Sequence, residues 1–380
     1  MLGVIGVRES VMFNAFFVKR LFTISGFVAL SAMPFQVYGE STTAFGKQGP
    51  YGVAMSEVSG QGLLLIPQVA DGSQAKKQWP GIVFGHGLCG PAHSYSDSLQ
   101  RLCSWGFVII ANQEQEDCGV ADIRNPIASM QSVGKLRYCV DSSVMAGNIK
   151  KNLHYLASRS DVNPNALALV GHSMGGGVSI DVGVSVNAEQ PGFVKAVVGI
   201  APWNGARPVP SSVVSKLNAP LLIVCSKSDK LCPCSGPSTA AENVSVDLPL
   251  PVPGFANQIA SRMAEAGMPF IFGPGADVYW HGGSAAIYKH ARTATLVEVL
   301  KANHFAIAGT DGKQMEHLLR QLANVNGFAF NLAGRPYRWV PTLEYTVAFL
   351  YDKLNINAEE GQAVMAKIES DDRIDKVISK

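Results

Sequence analysis

Ala166-Leu167-Ala168-Leu169-Val170-Gly171-His172-Ser173-Met174-Gly175-Gly176-Gly177-Val178 is the stretch whose reading decides the fold of this chain. An apolar run leads into Gly-x-Ser-x-Gly, and small and apolar residues follow. The run reads as a buried strand and the part from Met174 onward as a helix. Between them the chain must turn so sharply that only small residues fit two positions before and two after the serine. Such an elbow lifts Ser173 above the end of a sheet, beside the first N–H groups of the helix. Glycine and serine are common in loops, so the motif alone says little. Its place at the end of a buried strand gives it meaning. The plain alternative is a glycine-rich turn that carries an idle serine.

Working outward from the elbow, further apolar runs read as strands at 63–66, 81–84, 107–111, 194–200, 219–225 and 294–300, the last of them. Helical stretches separate them at 94–104, from an N-cap at Asp141 to about 157, and at 342–354 near the C-terminus. Strands that are apolar throughout, alternating with helices, imply a mostly parallel central sheet covered by helices on both faces. The fold class is α/β, in one domain. Ligands in such sheets bind at the carboxyl ends of the strands, so the residues just after each strand are the ones to inspect.

After 81–84 comes Gly85-His86-Gly87-Leu88. Acyl transfer needs N–H donors fixed in advance around a developing oxyanion. Met174, which follows the serine, supplies one donor, and Leu88, in the glycine-rich loop after an early strand, supplies the other. His86 reads as a loop-stabilising residue that bonds backbone, not as a base. After 219–225 comes Ser226-Lys227-Ser228-Asp229, where Asp229 can orient an imidazole and stabilise it when charged. Asp247 is a weaker rival, because only Val244-Ser245-Val246 precedes it. After 294–300 comes Lys301-Ala302-Asn303-His304, and His304 is the general-base candidate. His281, His290 and His317 follow no expected strand. The order Ser173, Asp229, His304 matches the strand–turn–helix architecture that carries this elbow.

With 380 residues, 47% of them hydrophobic, and a net charge of +2, the chain can build a large core and carries no basic excess. Nucleic acid is therefore not an expected partner. No set of cysteines and histidines has zinc-finger spacing, and no cofactor is expected. Residues 1–39 read as a secretory signal: Lys19-Arg20, then an uncharged run from Leu21 to Met33, with cleavage expected after Gly39. Met12 is an alternative start. Pro34 and Gln36 cut the run short of a membrane span, so an exported protein without a stable span is expected, with residues 40–380 as its catalytic domain; an uncleaved membrane anchor is the alternative. Export gives meaning to the 7 cysteines, of which at least one stays unpaired within the chain. Cys118 and Cys139 are expected to bridge. Cys225, within an apolar run, is expected to be a buried thiol.

Taken together, these pieces resemble the α/β-hydrolase superfamily. More narrowly, they resemble the secreted cutinase and polyester-hydrolase group, with related chlorophyllase-like and platelet-activating-factor acetylhydrolase-like esterases. Gly85-His86-Gly87, Trp105-Gly106-Phe107-Val108-Ile109, Gly171 to Gly177, Ala201-Pro202-Trp203 and Asn303-His304-Phe305 carry the likeness, over roughly residues 50 to 310. The resemblance implies that Trp203 lines a substrate cleft; a packing aromatic at a strand end is the alternative. Two features depart from the group. Leu88 stands where an aromatic residue is usual, and the stretch from Asp229 to His304 is longer than usual. Residues 231–282 are expected to form a cap, with Phe255, Ile259 and Met263 on one helical face. The expected activity is cleavage of a carboxylic ester, whether small ester, lipid or polyester, through a Ser173–His304–Asp229 triad. A peptidase or acyltransferase on the same scaffold is the enzymatic alternative. A non-catalytic binding protein is a more distant one, since all three triad types are present.

Overall fold

A computed structural model describes residues 43–69, 78–87, 92–112, 142–203, 211–229, 232, 234–235, 244–246, 276–278, 283–302, 304–309 and 340–380. The expected leader, Leu88, Cys118, Cys139, Asp141, Asp247, His281, His317 and the 255–263 helix lie outside these residues. The chain opens with strands β1 (Gly52–Val58), β2 (Gly62–Gln68) and β3 (Trp79–Gly85). Helix α1 (Ser96–Cys103), strand β4 (Val108–Ala111) and helix α2 (Ser142–Ser158) follow. Then come β5 (Val162–His172), α3 (Met174–Glu189), β6 (Ala196–Ile200), α4 (Ser211–Val214) and β7 (Leu221–Cys225). Short strands β8 (Val244–Val246) and β9 (Ala276–Val278) precede α5 (Gly283–His290) and β10 (Ala294–Val299). Helices α6 (Val340–Lys353) and α7 (Ala358–Met365) and strand β11 (Ile374–Ser379) end the chain.

Nine strands form one sheet in the order β1-β2-β4-β3-β5-β6-β7-β10-β11. From β4 to β10 every neighbouring pair is parallel. The β1–β2, β2–β4 and β10–β11 pairs are antiparallel. Strands β3, β4, β6 and β7 are buried at every position. This is why they are continuously apolar: a parallel strand with layers above and below has no solvent face to mark with polar residues. Helices α2 and α3 pack against β3 and β5, and α6 packs against β6 and β7. The sheet with its flanking helices is the mixed α/β architecture expected from the sequence.

Strand β11 corrects the expectation that 294–300 is the last strand. It lies at the sheet edge, has no fully buried position, and carries Asp375 and Lys376. Charges suit an edge strand, and they also dilute the apolar signal that identifies a strand in sequence. Val244-Ser245-Val246 is a strand, but β8 pairs only with β9, in a separate two-stranded sheet. Val244-Ser245-Val246 is therefore not a strand of the central sheet.

Helix α6 is buried along most of its length, Glu344 included. A carboxylate so placed needs a cation. Arg373, just before β11, donates to Glu344 Oε2 at 2.7 Å and also grips Asp371, so the C-terminal edge is locked to α6.

Candidate active site

Ser173 sits between β5 and α3 with φ 57° and ψ −123°, a backbone conformation that non-glycine residues rarely adopt. Such strain persists only where the surroundings over-determine it. Here they do. Ser173 N–H donates to Ile200 O at 2.9 Å. Ser173 O accepts from Gly176 N (3.0 Å), Gly177 N (3.1 Å) and Trp203 N (2.8 Å). The glycines of the motif are there because backbone presses on backbone. A Cβ on Gly171 would stand 2.2 Å from Gly175 O, and one on Gly175 would stand 2.2 Å from Gly85 O and 2.5 Å from His86 O. No side chain fits at either position.

The same closeness joins the elbow to the loop after β3. Gly175 N–H donates to His86 O at 3.1 Å. His86, as expected of a loop-stabilising residue, is buried and bonds backbone, its Nδ1 donating to Gly87 O at 2.7 Å. Met174 opens α3, and the first N–H groups of a helix have no acceptor within it. Gly175 N–H is taken by His86, Gly176 and Gly177 by Ser173 O. Met174 N–H is the first of this run.

Asp229 and His304 come together. Asp229 follows β7 in a turn closed by Asp229 N–H to Ser226 O (3.1 Å) and Ser228 N–H to Ser226 Oγ (3.2 Å). Lys227, in the same turn, pairs with Glu298 of β10 at 3.3 Å and Asp375 of β11 at 2.5 Å. His304 follows β10 and donates from Nδ1 to Asp229 Oδ2 at 2.7 Å. Both side chains are buried. The carboxylate only accepts, so the bond places a proton on Nδ1 and leaves Nε2 as the nitrogen turned away from Asp229. The other oxygen, Asp229 Oδ1, accepts from Cys232 N–H at 2.9 Å. His290, at the end of α5, is exposed.

Sequence reasoning missed the cysteines here. Cys225, expected as a buried thiol, is buried but disulfide-bonded to Cys234. The bond fastens the end of β7 to the chain just beyond Asp229 and so encloses the acid turn in a short loop. Its signal was the close spacing of Cys232 and Cys234 after an apolar strand. Cys232 is the free one, buried, with its sulfur 4.0 Å from Ser173 Oγ. Burial and the Asp229 carboxylate push its thiol well above the ordinary value. Trp203, whose main chain holds Ser173, is buried. Among the described residues, no group of three or more His, Cys, Asp or Glu is placed to hold a metal ion.

A strained serine at a strand–helix turn, at the carboxyl edge of a largely parallel sheet flanked by helices, defines the α/β-hydrolase fold. A family model for PETases, described as PET hydrolase-like, matches residues 32–244. The match covers more than half of the chain, and the chain belongs to this family of hydrolases. No curated protein matches it.

Proposed function

We infer that this protein is an exported serine hydrolase that cleaves carboxylic esters. The observation that carries the reading is the 2.7 Å bond from His304 Nδ1 to Asp229 Oδ2, formed at the strand edge that also presents Ser173. His304 Nε2 takes the proton of Ser173 Oγ as the oxygen attacks the ester carbonyl. The carbonyl oxygen becomes an oxyanion held by the N–H groups of Met174 and Leu88. His304 then gives its proton to the departing alcohol, leaving an acyl-enzyme. Water, deprotonated by His304, attacks that acyl group; His304 returns the proton to Ser173 Oγ as the carboxylic acid leaves. Asp229 holds the ring and offsets its charge throughout.

The substrate class follows from family membership, with Trp203 as part of the cleft wall: a polyester or a lipid-like ester. The reading of residues 1–39 as a signal supports export. No helix among the described residues is long and apolar enough to cross a membrane. We read residues 231–282, between Asp229 and His304 in the chain, as a cap on a single catalytic domain; on that reading polar substitutions at Ile259 and Met263 change acyl-chain preference.

The test is Ser173→Ala, assayed on p-nitrophenyl esters of increasing chain length. Turnover is expected to fall on the order of 10⁶-fold in a protein that unfolds at the same temperature. A fluorophosphonate probe should label Ser173 in the wild type and nothing in the variant. Retained hydrolysis by the alanine variant overturns the reading.

A further inference from the structure

The elbow residue just before Ser173, His172, is buried, and its ring centre lies 4.6 Å from that of His304. Its hydrogen bonds fix its protons. Nε2 is 2.8 Å from His304 O, and a carbonyl only accepts, so Nε2 carries a proton. Burial and the adjacent His304 hold the ring well below the usual imidazole value, so it is neutral and Nδ1 accepts. The partner of Nδ1, at 2.8 Å, is the hydroxyl of Tyr95, which must therefore donate to it. Tyr95 Oη in turn accepts from Gly87 N–H at 2.9 Å. Every donor and acceptor in this chain points the same way, from Gly87 through Tyr95 and His172 to the carbonyl of His304.

The sheet explains why such a chain is needed. The elbow follows β5 and His304 follows β10, and β6 and β7 lie between them. No strand pairing sets the distance from the base to the nucleophile. Gly87, for its part, stands one residue before the Leu88 amide. The packing around Gly87 is tight: a Cβ there would meet Tyr95 Oη at 3.0 Å, His172 Nδ1 at 3.3 Å and Ser173 Cβ at 3.3 Å.

Resting on the reading of Ser173 as nucleophile, we propose that Tyr95 and His172 are positioning residues: one continuous hydrogen-bonded relay that sets the oxyanion loop and the base loop against the elbow. Neither touches the reacting atoms. Both act by holding Gly87 and His304 in place, and displacements of about 1 Å at such groups cost about 10²-fold in rate.

The experiment compares Tyr95→Phe, His172→Asn, His172→Gln and the Tyr95→Phe/His172→Asn double variant. Sites are counted by fluorophosphonate titration, so that kcat refers to folded, competent protein only. Tyr95→Phe removes the hydroxyl at both of its bonds. Asn keeps an acceptor near Nδ1 but does not reach His304 O, whereas Gln carries an N–H where Nε2 stood. Tyr95→Phe and His172→Asn are expected to lower kcat per titrated site about 10- to 100-fold with KM little changed. His172→Gln should recover most of that loss. The double variant should be no worse than the poorer single one, because a relay broken once is already broken. Wild-type kcat per site in Tyr95→Phe, even with a lower melting temperature, would show a purely structural role and overturn the proposal. Multiplying losses in the double variant would overturn it too. If the wild type is neither labelled at Ser173 nor active on esters, it is the hydrolase reading that fails, a result distinct from either of these.

Discussion

The two halves of the site are built by different means. The elbow half, Gly85 to Gly87 against Gly171 to Gly177, is backbone packed on backbone. Its closest approaches, 2.2 Å from a Cβ on Gly171 or Gly175 to a carbonyl, are places where only glycine can stand. The acid–base half, Asp229 to Cys234 against His304, is made of side chains. A carboxylate, an imidazole, a disulfide and a three-residue ion cluster at Lys227 hold two turns from β7 and β10 in place. Steric exclusion is enforced by local spacing and leaves a pattern in the sequence. Hydrogen bonding between distant turns leaves only residue types.

The comparison predicts that substitutions in the elbow damage folding and activity together, while those in the acid–base half separate them. Gly175→Ala should be the most damaging of all. Its Cβ would meet two carbonyl oxygens that belong to buried backbone and cannot retreat, so the loss of stability should reach about 4 kcal/mol or more. Gly147, on an exposed part of α2 with nothing within 4 Å of a Cβ, is the control. Gly147→Ala should raise stability by up to about 1 kcal/mol. Chemical denaturation of both variants decides the matter. A Gly175→Ala protein as stable as wild type would mean that the elbow is not sterically determined.

Asp229→Asn comes next, and it should act on rate alone. The amide keeps the shape of the carboxylate but can no longer stabilise the imidazolium or hold its tautomer, which costs on the order of 10⁴ in kcat. The melting temperature should move by a few degrees at most. A variant that keeps more than a tenth of wild-type kcat would remove Asp229 from the acid role and reopen the search for another carboxylate.

What was legible in sequence follows the same division. The parallel strands could be read because burial on both faces makes them apolar throughout, and Ser173 because the elbow admits so few residues. Asp229 and His304 could be placed because each follows such a strand. The edge strand β11 was not legible, since its charges hide its period. The Cys225–Cys234 bond was masked: the apolar neighbours that mark β7 make Cys225 look like a core thiol, and they outweighed the nearby Cys232 and Cys234. Tyr95 was hidden in what reads as the start of a helix; the chain there is a 3₁₀ turn at Ala92–Tyr95 followed by α1. Its importance comes from His172, far away in sequence, and no spacing rule links the two.

The Cys225–Cys234 bond offers a smaller effect within the acid–base half. It closes a loop with a sequence separation of 9, worth roughly 3 kcal/mol in the chain-entropy account. Cys225→Ser/Cys234→Ser should lose stability of that order and part of its kcat, because the turn that carries Asp229 loses its fastening. Unfolding curves and steady-state rates, with and without reductant, measure both. If reductant leaves stability unchanged, the bond is not formed in the folded protein.

The smallest effect is expected at Cys232, although its sulfur stands 4.0 Å from Ser173 Oγ. What Cys232 gives to Asp229 is a main-chain N–H, which any residue provides. Cys232→Ala should therefore lower kcat by no more than about threefold. Its chemistry should be as quiet as its genetics. Burial and the Asp229 carboxylate push the thiol well up, so the reactive thiolate is scarcer than in an exposed cysteine at the same pH. Iodoacetamide at neutral pH should leave Cys232 unmodified in the folded protein and label it once the chain is unfolded, as read by peptide mapping. As pH rises, labelling of the folded protein should keep increasing beyond about pH 8.5, where an ordinary thiol levels off. Rapid labelling at pH 7 would mean that Cys232 is open to solvent and largely thiolate. The acid–base half would then hold a second nucleophile beside Ser173, which the side-chain geometry around Asp229 argues against.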